Sequence, residues 1–170
     1  MWIIPFAAIT LGVVAMDQIS KLLILEFLYQ GKLELIPGIF RFTYVENRGM
    51  AFGMLSDHRW VFMVLSTVGI IAMAAYLYFF VKTKLGRVAL SLVIGGGIGN
   101  MIDRVAYGFV VDFIDFCALG ELWVWVFNVA DAAVCVGAGL FILDLILETV
   151  RELKKQKATA PAASEEKSDG

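Results

Sequence analysis

The stretch from Val61 to Val81 reads VFMVLSTVGIIAMAAYLYFFV and contains no charged side chain. A run of about 18 or more apolar residues can cross a bilayer as a helix, because the hydrocarbon core is ~30 Å thick and a helix rises ~1.5 Å per residue. The whole chain of 170 residues is 60% hydrophobic and 18% charged, with a mean hydropathy of +0.81. Soluble domains have roughly 45–50% apolar and about 25% charged residues. The composition therefore predicts an integral membrane protein and argues against a soluble enzyme or a disordered chain.

Three more segments of similar length are mainly apolar and contain only a few charged residues. Their length and composition predict further membrane helices. The chain is therefore predicted to be an all-α integral membrane protein with four transmembrane helices, at about 3–25, 61–81, 88–107 and 122–143.

The placement of lysine and arginine predicts the orientation of these helices. Such residues are concentrated in the 82–87 loop and in the segment that follows the fourth helix. They favour the cytoplasmic side of a membrane, so both chain ends are predicted to be cytoplasmic. The first helix has no basic segment before it and no small-residue cleavage motif, so we interpret it as a retained membrane helix. We expect residues 1–150 to form the membrane domain and residues 151–170 to form a disordered cytoplasmic tail.

The segment 30–58, between the first two predicted helices, shows the periodicity of strands. Phe40, Phe42 and Tyr44 alternate with other residues directly after the turn signal Pro37-Gly38. This pattern is typical of two strands joined by a turn. It predicts a small extracytoplasmic β-subdomain that lies on the outer membrane surface.

The residue types present narrow the possible chemistry. The net charge is −2, so there is no basic surplus and we do not expect nucleic acid as a partner. The sequence contains one histidine, His58, which disfavours a histidine-based zinc site. Its two cysteines, Cys117 and Cys135, form no CxxC motif. We expect no metal and no other cofactor.

A charged side chain inside a bilayer costs several kcal/mol and indicates a functional site by default. We expect one layer near the outer face to contain polar residues from three helices and a loop, namely Asp17, Asn100, Asp103, Asp112, Asn128 and Asp131. If the fourth helix begins at Leu122, Asp131 lies ~14 Å below the outer boundary. Asp144 and Glu148 fall at the inner end of the same helix.

Some of these polar residues have a structural explanation. Asp17 and Lys21 are spaced i,i+4, which predicts a structural ion pair on one helix face. We interpret Asp103 with Arg104 in the same way, and Asp115 as a solvated loop residue. Glycines in the third helix predict a close-packing face, formed by Gly95, Gly96, Gly97 and Gly99.

Asp112 and Asp131 have no cation one helical turn away, which makes them the candidates for chemistry. Two carboxylates brought close together share a proton, so one acts as a general base on water while the other donates a proton. This is the chemistry of aspartic peptidases. A proton- or cation-coupled transporter and a structural membrane subunit are the alternatives. The transporter requires acidic groups across the bilayer, whereas the inner halves of the spans contain only Asp144.

Five short motifs follow one another along the chain: Asp17-Gln18-Ile19-Ser20-Lys21, Asn47-Arg48-Gly49-Met50-Ala51-Phe52, Gly99-Asn100-Met101-Ile102-Asp103-Arg104, Val110-Val111-Asp112-Phe113 and Phe127-Asn128-Val129-Ala130-Asp131. In sequence and order they resemble the lipoprotein signal peptidases, or signal peptidases II, a family of bacterial aspartic peptidases. The resemblance extends from Asp17 to about Gly137. Met50 departs from the family, which often has alanine at this position.

This resemblance implies that Asp112 and Asp131 are the catalytic dyad. It implies supporting or substrate-binding roles for Asp17, Lys21, Asn47, Gly49, Asn100, Asp103, Arg104, Asn128 and Ala130. The implied fold has four helices, an outer β-cradle and a short periplasmic helix, in the bacterial cytoplasmic (inner) membrane. The implied substrate is a prolipoprotein whose cysteine carries diacylglycerol, and the peptide bond before that cysteine is hydrolysed. Membrane lipid is a further implied partner, and the cyclic peptide globomycin is expected to inhibit.

Overall fold

The computed structural model describes residues 3–29, 31–48, 59–122 and 125–159. These residues are mostly helical, as predicted, with a small antiparallel sheet. In chain order the elements are α1 (Ile3–Phe27), β1 (Lys32–Ile36), β2 (Phe40–Asn47), α2 (Arg59–Phe79), α3 (Lys84–Ala106), β3 (Val110–Asp115), a short 3-10 helix (Cys117–Leu122), β4 (Val126–Phe127) and α4 (Val129–Thr159).

Three helices in the described part of the chain are long and apolar enough to cross a membrane. They lie at Ile4–Phe27, Lys84–Ala106 and Val129–Ala158. The apolar part of α2 that is described, Met63–Phe79, is shorter. The crossing by α2, and with it the total of four spans, stays a prediction.

The fourth helix begins later than predicted. The sequence predicts that it begins at Leu122. In the structure, Val126 and Phe127 instead form strand β4, which pairs with β3, and α4 begins at Val129. The aromatic and β-branched residues of this apolar run favour a strand as much as a helix. Asn128 then caps the helix, since its Oδ1 accepts a hydrogen bond from the Asp131 N–H at 2.8 Å. Asp131 therefore lies in the first turn of α4, and the depth of ~14 Å counted from Leu122 does not apply.

The C-terminal end of α4 also differs from the sequence prediction. The helix continues to Thr159, so residues 151–159 of the expected disordered tail are helical. Leucine, lysine and glutamate are good helix formers, and Lys155 pairs with Glu152 at 2.7 Å one turn away. Residues 160–170 lie outside the described residues.

The described strands form one sheet in the order β1-β2-β3-β4, with every neighbouring pair antiparallel. The predicted hairpin is present within residues 32–47, and its turn places Gly38 at a φ of 70°. Strand β3 comes from the segment after α3, where the sequence predicts a loop, and β4 comes from residues that the sequence predicts to begin the fourth helix. Residues 49–58 of the predicted β-subdomain lie outside the described residues.

Close contacts of α3 with α1 and α4 depend on glycine. A Cβ at Gly99 would lie 2.5 Å from Oδ2 of Asp17, and a Cβ at Gly96 would overlap the Ala130 carbonyl oxygen of α4. A Cβ at Gly95 would lie 2.8 Å from Cβ of Val13 on α1. The predicted close-packing face is therefore present, and it brings three helices together beside the polar residues.

Candidate active site

The two candidate carboxylates stand on different kinds of element. Asp112 lies within β3, opposite Val45 of β2, and is 2% exposed. Asp131 lies in the first turn of α4, where the unpaired N–H groups of a helix create a positive end. The β3 strand and the start of α4 adjoin because β4, which pairs with β3, leads directly into the helix.

Two amide side chains connect these carboxylates, that of buried Asn128 and that of half-buried Asn100. Asn128 Nδ2 donates to Oδ1 of Asp112 at 2.7 Å and to Oδ1 of Asn100 at 3.0 Å. Asn100 Nδ2 in turn donates to Oδ1 of Asp131 at 2.8 Å. The second oxygen of Asp131, Oδ2, accepts from the backbone N–H of Asn128 at 3.2 Å. The structure therefore joins Asp112, Asn128, Asn100 and Asp131 in one continuous hydrogen-bond chain.

Asp112 is held from a second side by the sheet. Asn47, the last residue of β2, donates from Nδ2 to Oδ2 of Asp112 at 2.8 Å. Burial raises the pKa of Asp112 to about 6, and the charge of Asp131 adds to this rise. The amide hydrogen bonds from Asn47 and Asn128 act in the opposite direction and limit the increase in this pKa. Burial therefore favours the protonated form of the Asp112 carboxyl.

A buried ion cluster lies directly beside this chain of amides. Lys21 Nζ lies 2.8 Å from Oδ2 of Asp17 and 2.9 Å from Oδ2 of Asp103. It also donates to Oδ1 of Asn100 at 3.0 Å. The predicted pair of Asp17 with Lys21 is therefore present, and it is almost completely buried. This cluster ties α1 to α3.

The predicted pairing of Asp103 with Arg104 is wrong. Successive residues on a helix point in different directions, so neighbouring side chains do not face each other. Asp103 instead points towards Lys21, and its Oδ2 also accepts from the Val111 N–H at 3.0 Å. Arg104 donates to the backbone oxygen of Asn100 at 3.4 Å and is partly exposed.

Four hydrogen bonds in this region were not foreseen from the sequence. Gln18 Nε2 donates to Oδ2 of Asp17 at 3.2 Å, to Oδ1 of Asp103 at 3.0 Å and to the Gly99 carbonyl at 3.1 Å. Asp17 Oδ1 accepts from the Ala130 N–H at 2.9 Å and so helps to cap α4. The sequence feature that could have indicated these contacts is a glutamine next to an aspartate inside an apolar helix.

Ala130 is fully buried, and its backbone adjoins Gly96 of α3. A larger side chain at this position would separate α4 from α3. Gly49, another predicted site residue, lies outside the described residues, as does Met50.

The remaining acidic residues lie apart from the carboxylate pair. Asp115 was predicted to be a solvated loop residue, but it is 7% exposed at the end of β3 and pairs with Arg41 at 2.6 Å. Their hydrogen bond raises the pKa of Arg41. Asp144 is buried on α4, well along the helix from Asp131, and accepts from Thr83 Oγ1 at 2.6 Å.

Within the described ranges, no group of three or more His, Cys, Asp or Glu residues is placed to hold a metal ion. The described Lys and Arg residues likewise form no ion pair with Asp112 or Asp131. Fold and site together define a helical membrane protein in which amide side chains link two carboxylates.

The family model for signal peptidase (SPase) II matches residues 9–147. The chain belongs to the signal peptidase II family, as its motifs predicted, and membership of this family implies a protease.

Individual relatives agree with this assignment. The chain is 43% identical over 141 residues to the lipoprotein signal peptidase of Halothermothrix orenii, which covers 81% of this chain and 92% of the relative. It is 44% identical over 147 residues to that of Symbiobacterium thermophilum, covering 82% and 94%.

Two solved structures described as bacterial membrane enzymes are similar to this one. The first has a TM-score of 0.74 at 35% identity and covers 85% of this chain and 89% of its own. The second has a TM-score of 0.77 at 33% identity and covers 83% and 92%. Together with the long apolar helices, these similarities indicate a membrane protein.

Proposed function

We propose that the chain is an aspartic endopeptidase that removes signal peptides from diacylglyceryl-modified bacterial prolipoproteins. It hydrolyses the peptide bond before the lipidated cysteine. Family membership supports the peptidase activity, and the name that its relatives carry, lipoprotein signal peptidase, supports the substrate class. The observation that carries the proposal is the hydrogen-bond chain that joins Asp112 to Asp131 through Asn128 and Asn100.

In the proposed reaction, one carboxylate of the dyad is ionised and the other holds a proton. The ionised carboxylate removes a proton from water while the water oxygen attacks the scissile carbonyl carbon, and the protonated carboxyl donates to the carbonyl oxygen. Collapse of this gem-diol breaks the C–N bond. The leaving nitrogen takes the proton gained by the base, and the other carboxylate recovers a proton from the diol. A pKa of about 6 for Asp112 suits this exchange near neutral pH.

The other predicted site residues support the dyad in this proposal. Asn47, Asn100 and Asn128 hold the two carboxylates in their rotamers by donating to them. A second group holds the three helices together behind the dyad, namely Asp17, Lys21, Asp103 and Ala130. Partly exposed Arg104 is available to bind the substrate backbone or its lipid head group. Gly49 is proposed for the substrate-facing loop on its motif alone.

The proposed location is the bacterial cytoplasmic membrane, with four spans, both chain ends cytoplasmic and the active site near the outer face. The lysine-rich segments at 82–87 and after residue 150 support this orientation. The lipid on the substrate anchors its scissile bond at the outer interface, within reach of a site at the ends of α3 and α4. Globomycin is expected to bind the same site.

Cleavage of a diacylglyceryl-modified precursor by the purified protein tests this function. We expect cleavage that globomycin blocks and that Asp112→Asn and Asp131→Asn each reduce by about 10²–10⁴-fold, the usual contribution of a general acid or base. Asp144→Asn is the matched control, because it neutralises a buried acid on the same helix as Asp131 but away from the dyad. Normal cleavage by either dyad variant would overturn the proposal.

A further inference from the structure

We propose that Lys21 is a positioning residue for catalysis: its ammonium group fixes the orientation of the Asn100 amide, so that Asn100 donates to Asp131. The inference rests on the proposed function, because it concerns how one member of the dyad is held.

An asparagine amide has an oxygen that accepts and a nitrogen that donates, and rotation by 180° exchanges them. Lys21 Nζ and Asn128 Nδ2 are donors, and both lie 3.0 Å from Oδ1 of Asn100. Only the oxygen of Asn100 is compatible with two donors on this side. Its nitrogen must then point to the opposite side, where it lies 2.8 Å from Oδ1 of Asp131.

The rotated amide is strongly disfavoured by these same neighbours. Its nitrogen would face the donors of Lys21 and Asn128, and its oxygen would face the carboxylate of Asp131. Buried donors or acceptors left without partners cost more free energy than a satisfied hydrogen bond contributes. The ammonium group is also strictly a donor, so no rotation of Lys21 relieves the conflict.

Lys21 is itself held firmly in place. It lies 2.8 Å from Asp17 on its own helix and 2.9 Å from Asp103 on α3, and it is 2% exposed. Among the described residues it makes no ion pair or hydrogen bond with Asp112 or Asp131. Asn100 is the one residue in the described part of the chain that accepts from Lys21 and also donates to a side chain of the dyad, whereas Asp17 and Asp103 reach only the backbone N–H groups of Ala130 and Val111.

A double-mutant cycle on kcat separates this role from a structural one. The variants are Lys21→Met, Asn100→Ala and their combination, with kcat and KM measured on the diacylglyceryl-modified precursor. We expect Lys21→Met to lower kcat about 10- to 100-fold, the kinetic equivalent of one hydrogen bond to a charged group, and to change KM less than about twofold. In the Asn100→Ala background, Lys21→Met should change kcat less than about twofold. Equal losses in the two backgrounds would overturn the inference.

Gln18→Leu is the matched structural control. Gln18 donates to Asp17 and Asp103, as Lys21 does, but the structure gives it no contact with Asn100 or the dyad in the described residues. We expect this variant to unfold at a lower temperature and to keep its kcat. A loss of kcat as large as that of Lys21→Met would show that weakening the ion cluster is sufficient, and would overturn the inference.

A charge-conserving variant keeps the test valid if Lys21→Met does not fold. Lys21→Met with Asp103→Asn removes one positive and one negative charge, so the net charge of the cluster is unchanged. Compared with Asp103→Asn alone, it should show the same 10- to 100-fold loss of kcat. No loss would overturn the inference. Full activity of Asp112→Asn or Asp131→Asn would refute the proposed function itself. If the dyad variants are inactive but Lys21→Met and Asn100→Ala lower kcat additively, only the role of Lys21 is refuted.

Discussion

Two pairs of carboxylates lie side by side in this protein, and they are stabilised by different partners. Asp17 and Asp103, the lysine-held pair, both contact the ammonium group of Lys21. Asp112 and Asp131, the amide-held pair, accept hydrogen bonds from asparagine amides and, for Asp131, from a backbone N–H.

The difference between the pairs separates structure from chemistry. A nearby cation offsets the charge of a buried carboxylate and makes it a strong link between helices. Neutral amides orient a carboxylate without cancelling its charge, so the group remains able to take up or release a proton. The lysine-held pair is therefore suited to joining α1, α3 and α4, and the amide-held pair is suited to acid–base catalysis.

Removal of the shared cation should produce the largest loss of stability. Lys21→Met leaves two buried carboxylates without their cation, which we expect to lower the free energy of unfolding by about 3–5 kcal/mol. Thermal unfolding of the purified protein in detergent measures this effect. Lys155→Met, which removes a lysine that is 70% exposed, is the control and should change stability by less than about 0.5 kcal/mol. Similar unfolding temperatures for the two variants would contradict the assigned role of the lysine-held pair.

The amide-held pair should instead make stability depend on pH. The pKa of Asp112 is raised from 3.8 to about 6, so the folded protein binds this proton more tightly than the unfolded chain does. The stabilisation is complete below about pH 4 and is lost as the pH rises through 6, with a total of about 3 kcal/mol for about 2 pKa units. We expect the unfolding temperature of the wild type to fall over this range relative to Asp112→Asn. Parallel curves for the two proteins would contradict the raised pKa.

The contact of Asp17 with Lys21 and the helices were largely predictable from local spacing. The i,i+4 relation of Asp17 and Lys21 depends only on helix geometry, and the apolar runs predicted helices at all four positions. The partner of Asp103 was not predictable in this way, because Lys21 belongs to a different helix.

The surroundings of Asp112 were less accessible to sequence reasoning. The carboxylate was singled out because it lacks a local cation, but its strand was predicted to be a loop. β3 forms by pairing with β2 and β4, and such pairing is not visible in the local sequence. The run before Asn128 contains tryptophan, valine and phenylalanine, which suit either a buried helix or a strand, and it led to the early start predicted for α4.

The close approach of α3 to α4 should have the smallest of the three effects on stability, but it should reach both pairs of carboxylates. A methyl group at Gly96 would overlap the Ala130 carbonyl and push apart the helices that carry Asn100 and Asp131. We expect Gly96→Ala to lower stability by about 1–3 kcal/mol, the usual cost of overpacking, and to lower kcat for precursor cleavage. Gly139→Ala on α4 is the control, because a Cβ there meets no atom within 4 Å. It should stabilise the helix by up to about 1 kcal/mol and leave kcat unchanged. If Gly96→Ala behaves like Gly139→Ala, then the spacing of α3 and α4 does not hold the dyad in place.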